Sequence, residues 1–240
     1  MTRTISILLA LAMPLLSAEP LRVLCVGDSI TQGGKTDREE YTYRLPLQRK
    51  LRAAGIAFDF IGSQNKGLQP DATWPELAPG IPFDPDHEGY YGQKTADVIG
   101  KATAAWKPDS PAPDVVLIHL GTNDQDNKPH AATVQAPLRE FIAFLRGKNP
   151  KVIVLLGHLN FNASEGASAI RPLVEALALE LNRPESPVCT VAHYEGWNEN
   201  PDQAGADTFD WAHPNPQGQQ KMADHWMLVL QPLLAASAAP

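Results

Sequence analysis

Apolar residues fall along this chain in two alternating rhythms. Short, nearly unbroken apolar runs occupy residues 21–27, 56–61, 114–121, 151–156 and 188–192, and each reads as a strand. The densest, DVVLIHLG at 114–121, has the composition of a strand buried on both faces. Between the runs, apolar residues recur at helical spacing. They are Leu45, Leu47, Leu51 and Ala54; Val98, Ile99 and Ala102; Leu138, Phe141, Ile142 and Leu145; Leu173, Leu177 and Leu181; and Met222, Trp226, Val229, Leu230 and Leu233. Pro46 and Pro137 fit first turns, where a missing N–H costs nothing, and Gly55 closes the first helix. Strands alternating with helices predict an α/β fold, with a five-stranded parallel sheet covered on both sides and joined by right-handed crossovers.

The rhythm lapses after Gly62 for about thirty residues, through Pro70, Trp74-Pro75, Pro79-Gly80 and Asp84-Pro85-Asp86, a loop length that is uncommon in compact domains and often functional. Placed beyond the strand ends, such a loop shapes a substrate cleft. At the N-terminus, Arg3 precedes an apolar stretch, 5–16, then Ser17-Ala18 and the polar Glu19-Pro20. This matches a signal peptide, 1–18, cleaved near Ala18, which predicts a secreted or periplasmic domain over 19–240. The stretch is too short for a stable membrane anchor. The competing reading is an uncleaved tail.

With 240 residues and 43% hydrophobic content, the chain can bury the core of one domain. A net charge of −7 without any basic block argues against nucleic acid as a partner. Gly34-Lys35-Thr36 resembles the end of a phosphate-binding loop, but the first glycine of that pattern falls at Ser29, and Asp37, Glu39 and Glu40 would repel phosphate. Nucleotide binding stands as a rival reading. Cys25 and Cys189 lie in the first and last strands with apolar neighbours, as inert thiols do, and no disulfide is expected between them.

The candidate chemistry gathers at strand ends. Ser29 follows the first strand, Asn123 the third, and Asp210 and His213 lie beyond the fifth; in a parallel sheet these loops share one edge. Taken singly, Ser29 reads as a helix cap and Asn123 as a turn former. Together they suggest a serine nucleophile activated by His213, with Asp210 fixing the imidazole tautomer. The N–H of Ser29, the N–H of Gly92 and the Asn123 amide would stabilise a developing oxyanion. This chemistry calls for no metal and no cofactor. Asp124, Asp126 and Asn127 lack the spacing and glutamate of a calcium loop and read as a solvated turn. His119, inside the third strand, reads as a hydrogen-bonded core histidine. His158 and Asn160, after the fourth, are either substrate contacts or ordinary loop polarity.

GDSIT at 27–31, GTND at 121–124 and DWAHP at 210–214 resemble the conserved blocks of the SGNH (GDSL-type) hydrolases. That resemblance implies a three-layer α/β/α flavodoxin-like sandwich, with Ser29, Gly92, Asn123 and His213 at the four signature positions and Asp210 completing the triad. The block HEGYYGQKTAD is similar to a segment of bacterial acetyl xylan esterases of this type, with Gln93 where they carry tryptophan and Gly89 as a competing glycine. YRLPLQRKL, FDPDHEG and HPNPQG extend the similarity and imply a carbohydrate O-acetylesterase. Trp74, Tyr90, Tyr91 and Trp197 either stack on sugar rings or pack the long loops. No G-x-S-x-G elbow is present, which separates the chain from the ordinary α/β-hydrolases. The remaining alternatives are a short-chain arylesterase or lysophospholipase, and a non-catalytic glycan-binding module.

Overall fold

The structure is a computed structural model and describes residues 19–35, 39–69 and 71–237. The expected leader and the Thr36 end of the loop that resembles a phosphate site lie outside the described residues. Strand β1 (Leu21–Gly27) runs into a single helical turn, α1 (Ser29–Gln32), followed by α2 (Arg44–Ala53) and β2 (Phe58–Ile61). After the long loop come a two-residue strand, β3 (Glu88–Gly89), and α3 (Thr95–Ala105). The chain continues through β4 (Val115–His119), α4 (Ala136–Lys148), β5 (Ile153–Gly157), α5 (Glu165–Leu181), β6 (Val188–Val191) and α6 (Pro216–Ser237).

All pairings are parallel, in the order β2-β1-β4-β5-β6. The five expected strands and helices are present. Strand β3 adds a sixth, short strand on the β2 side of β1, where Gly27 pairs with Gly89. The hydrophobic pattern missed it because two residues carry no periodicity.

Alternate strand residues enter different layers, as a pleated sheet requires. Val23 and Cys25 of β1, with Leu117 and Leu155, pack against Leu47 and Leu51 of α2 and Met222, Trp226 and Leu230 of α6. Leu24 and Val26, with Val116 and Val154, face α3, α4 and α5 through Val98, Phe141, Ile142 and Val174. Burial pushes the Cys25 thiol up to about 12, so it behaves as an apolar side chain. Strands β4 and β5 separate it from Cys189, about 14 Å away at normal strand spacing and beyond disulfide reach.

The connection leaving β1 goes to β2 on one side, while β4 lies on the other. The loops after β1 and β4 therefore diverge, opening a crevice at their C-terminal ends, the usual ligand position in an open α/β sheet.

Candidate active site

At that crevice the chain turns sharply. A Cβ on Gly27 would lie 2.1 Å from Thr31 Oγ1 and 2.7 Å from the His119 carbonyl, so only glycine lets β1 pass this close. Asp28 is buried, and its carboxylate accepts the Ile30 N–H at 3.0 Å, capping α1. Burial raises its pKa, opposed chiefly by the neighbouring His119. Ser29 is thus the first residue of α1, set on the sheet edge and only 4% exposed.

The other end of α1 is held by Arg44. Its fully buried guanidinium donates to the carbonyls of Thr31 (2.9 Å) and Gln32 (3.2 Å) in α1, and to that of Pro85 (2.7 Å) in the long loop. Desolvation lowers its pKa to about 10, which still leaves it charged at neutrality. One side chain therefore satisfies open carbonyls of α1 and binds the long loop to the turn that carries Ser29.

Ser29 Oγ lies 3.0 Å from His213 Nε2. His213 Nδ1 lies 3.0 Å from each carboxylate oxygen of Asp210, and the His213 N–H donates to Asp210 Oδ1 at 2.9 Å. The ring of Tyr91 stacks on the imidazole at 5.3 Å and 16°. Asp210 thus holds both the ring and the backbone of His213, and Tyr91 restricts rotation of that ring.

The two candidate glycines differ in what their N–H groups do. That of Gly89 donates to His87 Nδ1 at 2.7 Å, and a Cβ there would sit 2.7 Å from the Gln32 nitrogen. Its glycine serves the close passage of β3 against α1. Gly92 is exposed at φ 72°, and among the described residues no group accepts its N–H. Asn123 donates through Nδ2 to the carbonyl of Gln93 at 2.9 Å, which ties it to the Gly92 loop and leaves the second amide hydrogen for a ligand. Tyr91 N–H donates to Gln32 Oε1 at 2.7 Å, fixing the same loop against α1.

Several expectations change. Asp124 is 1% exposed rather than solvated: its Oδ2 accepts the Thr95 N–H (2.8 Å) and hydroxyl (2.7 Å), locking the β4 loop to the start of α3. Its partner is far away in sequence, which a local reading cannot see. His158 and Asn160 are buried instead of lining a surface, and Asn160 Oδ1 meets Nε2 of the buried His119 at 2.9 Å. The glycines of the loop that resembles a phosphate site are spent internally. Gly33 N–H donates to the Ser29 carbonyl (2.8 Å) and Gly34 N–H to that of Glu40 (2.8 Å), so they form no phosphate cradle. Trp74 packs on Phe83 and Trp197 is buried, whereas Tyr90 donates its hydroxyl to Glu88 at 2.6 Å. The exposed tryptophan is Trp211, between Asp210 and His213, at 51% exposure. Its place inside the DWAHP block was the available signal, since a residue flanked by both groups cannot lie far from them.

A cavity of 410 Å³ adjoins Asn123 and is walled by Phe161, Glu199, Trp211 and Ala212; a second, of 510 Å³, shares Asn123 and opens toward Lys94 and Asp126. Both volumes suit small organic ligands.

Ser29, His213 and Asp210 thus form one hydrogen-bonded series at the switch point of a parallel sheet. Residues 25–221 match the model of the GDSL-like lipase/acylhydrolase family, and the chain belongs to that family of esterases. It is 24% identical, over 93% of its length, to a multidomain esterase of Ruminococcus flavefaciens, and spans 30% of that longer protein. A family 3 carbohydrate esterase from Clostridium thermocellum shares 25% identity at a TM-score of 0.71, covering 92% of this chain and all of its own. An acetyl esterase variant solved with acetate shares 26% identity at a TM-score of 0.71, covering 91% of this chain and all of its own.

Proposed function

We propose that this protein is a serine esterase that removes small acyl groups, acetyl above all, from carbohydrates. The observation that carries the reading is the continuous contact from Ser29 Oγ through the His213 ring to Asp210. In this mechanism Ser29 Oγ attacks the ester carbon as His213 Nε2 takes its proton, and Asp210 stabilises the imidazolium. The ester's carbonyl oxygen becomes an oxyanion facing the N–H groups of Ser29 and Gly92 and the free amide hydrogen of Asn123. Collapse expels the sugar alcohol, which receives the proton from His213. Water, deprotonated by the same imidazole, then attacks the acyl-serine and releases acetate and free Ser29.

The carbohydrate esterase and acetyl esterase among the similar structures support a glycan acetyl ester as substrate. Polar groups lining the cavities, Asn123, Gln125 and Glu199 among them, support it too, since sugar hydroxyls can bond to them and a long acyl chain cannot. Export through the leader at 1–18 would bring the enzyme to such a polymer. A panel of acetylated polysaccharides, short aryl esters, long-chain esters and lysophospholipids tests the proposal. Acetate release from a glycan is the expected result; turnover confined to aryl esters or lysophospholipids would replace the substrate class.

A further inference from the structure

The 410 Å³ cavity beside Asn123 has more construction than small acyl transfer needs. One wall is Trp211, half exposed, with φ at 67° in a region that non-glycine residues seldom occupy. Strain of this kind persists where the surroundings enforce it, and here the residues on either side include both Asp210 and His213. Another wall is Phe161, whose carbonyl accepts from Arg171 at 3.2 Å, while the Arg171 guanidinium lies 3.5 Å over the Tyr194 ring. Glu199 clasps the next two residues, accepting the N–H of Asn162 at 2.5 Å and of Ala163 at 2.8 Å. The two walls come from the loops after β5 and β6, and Glu199 binds those loops together.

Resting on the esterase reading above, we propose that this cavity is the subsite for the sugar ring bearing the scissile ester, with Trp211 as its stacking platform. A pyranose presents a flat C–H face and a rim of hydroxyls. The indole of Trp211 matches the first; the remaining lone pairs of Glu199 and the second Nε2 hydrogen of Gln125, beyond their internal bonds, match the second. Asn123 lines this cavity, so an ester whose carbonyl meets the Asn123 amide lies beside it. The small acyl group needs no such space.

The test is steady-state kinetics of wild type, Trp211→Ala and Trp211→Phe on an acetylated xylo-oligosaccharide and on p-nitrophenyl acetate. The ratio of kcat/KM for the oligosaccharide to that for the aryl ester should fall about tenfold or more in Trp211→Ala, mainly through KM, and recover in Trp211→Phe. An unchanged ratio overturns the subsite. Equal loss of kcat on both substrates also overturns it, by showing that Trp211 serves only to hold Asp210 and His213. If wild type hydrolyses the aryl ester but no acetylated glycan, the glycan reading itself fails and the subsite with it, a result distinct from the other two.

Discussion

Lys221 Nζ lies 2.6 Å from the fully buried carboxylate of Asp207, three residues before Asp210. The same ammonium donates to the Gly196 carbonyl at 2.7 Å, and Asp207 also accepts the Asn198 N–H at 2.7 Å. Helix α6 thereby fastens both ends of the loop that delivers Asp210 and His213 across the sheet. Removing Lys221 leaves the buried carboxylate with only the Asn198 N–H and the Gln217 amide, so Lys221→Met should cost about 1–3 kcal/mol. The double variant Lys221→Met/Asp207→Asn should recover part of it. Urea midpoints measure both, and a single variant as stable as wild type would contradict the pairing.

Arg44 does for α1 what Lys221 does for that loop. Arg44→Met leaves the carbonyls of Thr31, Gln32 and Pro85 without their donor in a buried site, each worth about 1–3 kcal/mol when unsatisfied. Arg44→Lys should rescue little, because an ammonium cannot span carbonyls on two segments as the planar fork does. Equal stability of the lysine variant and wild type would show that charge alone is required.

Asn123→Asp keeps the size of the side chain and removes its amide hydrogens. The expected effect is a fall in kcat of about 100- to 1000-fold with little change in KM. A change confined to KM would make Asn123 a substrate contact instead of an oxyanion donor.

Burial, and then Arg171, lowers the His158 imidazole to about 4. The Glu175 carboxylate, 3.9 Å away and largely exposed, is too weak a partner to keep the ring charged. An unfolded histidine titrates near pH 6.5, so below that pH the unfolded chain binds a proton that the folded one refuses. Stability contributed by this group is therefore complete above about pH 6.5 and is lost as pH falls toward about 4, by about 3 kcal/mol. Urea denaturation of wild type and His158→Gln across this window reads the effect, which should appear as a flatter pH dependence in the variant. Parallel curves would mean that the folded protein protonates His158 as readily as the unfolded chain does.

The sheet and its helices were legible because β1, β4 and β5 are buried on both faces and the helices keep a clean apolar stripe. That the loops carrying Ser29, Asn123, Asp210 and His213 lie at one edge was legible because each follows a strand of a parallel sheet. What escaped depends on partners distant in the chain. The choice between Gly89 and Gly92 turns on whether the His87 ring consumes an N–H. The burial of Asp124 depends on Thr95, and the role of Arg44 on loops that carry no periodic signal. The DWAHP block placed Trp211 near Asp210 and His213, but residue type alone does not reveal its exposure or its positive φ.

The most direct test of the account is acetate release from an acetylated glycan by wild type and Ser29→Ala at equal concentration of folded protein. Release by wild type that drops by about 1000-fold or more in the variant is the expected result. Undiminished release by Ser29→Ala would contradict the account, because the contact between Ser29 and His213 could not then be the site of chemistry.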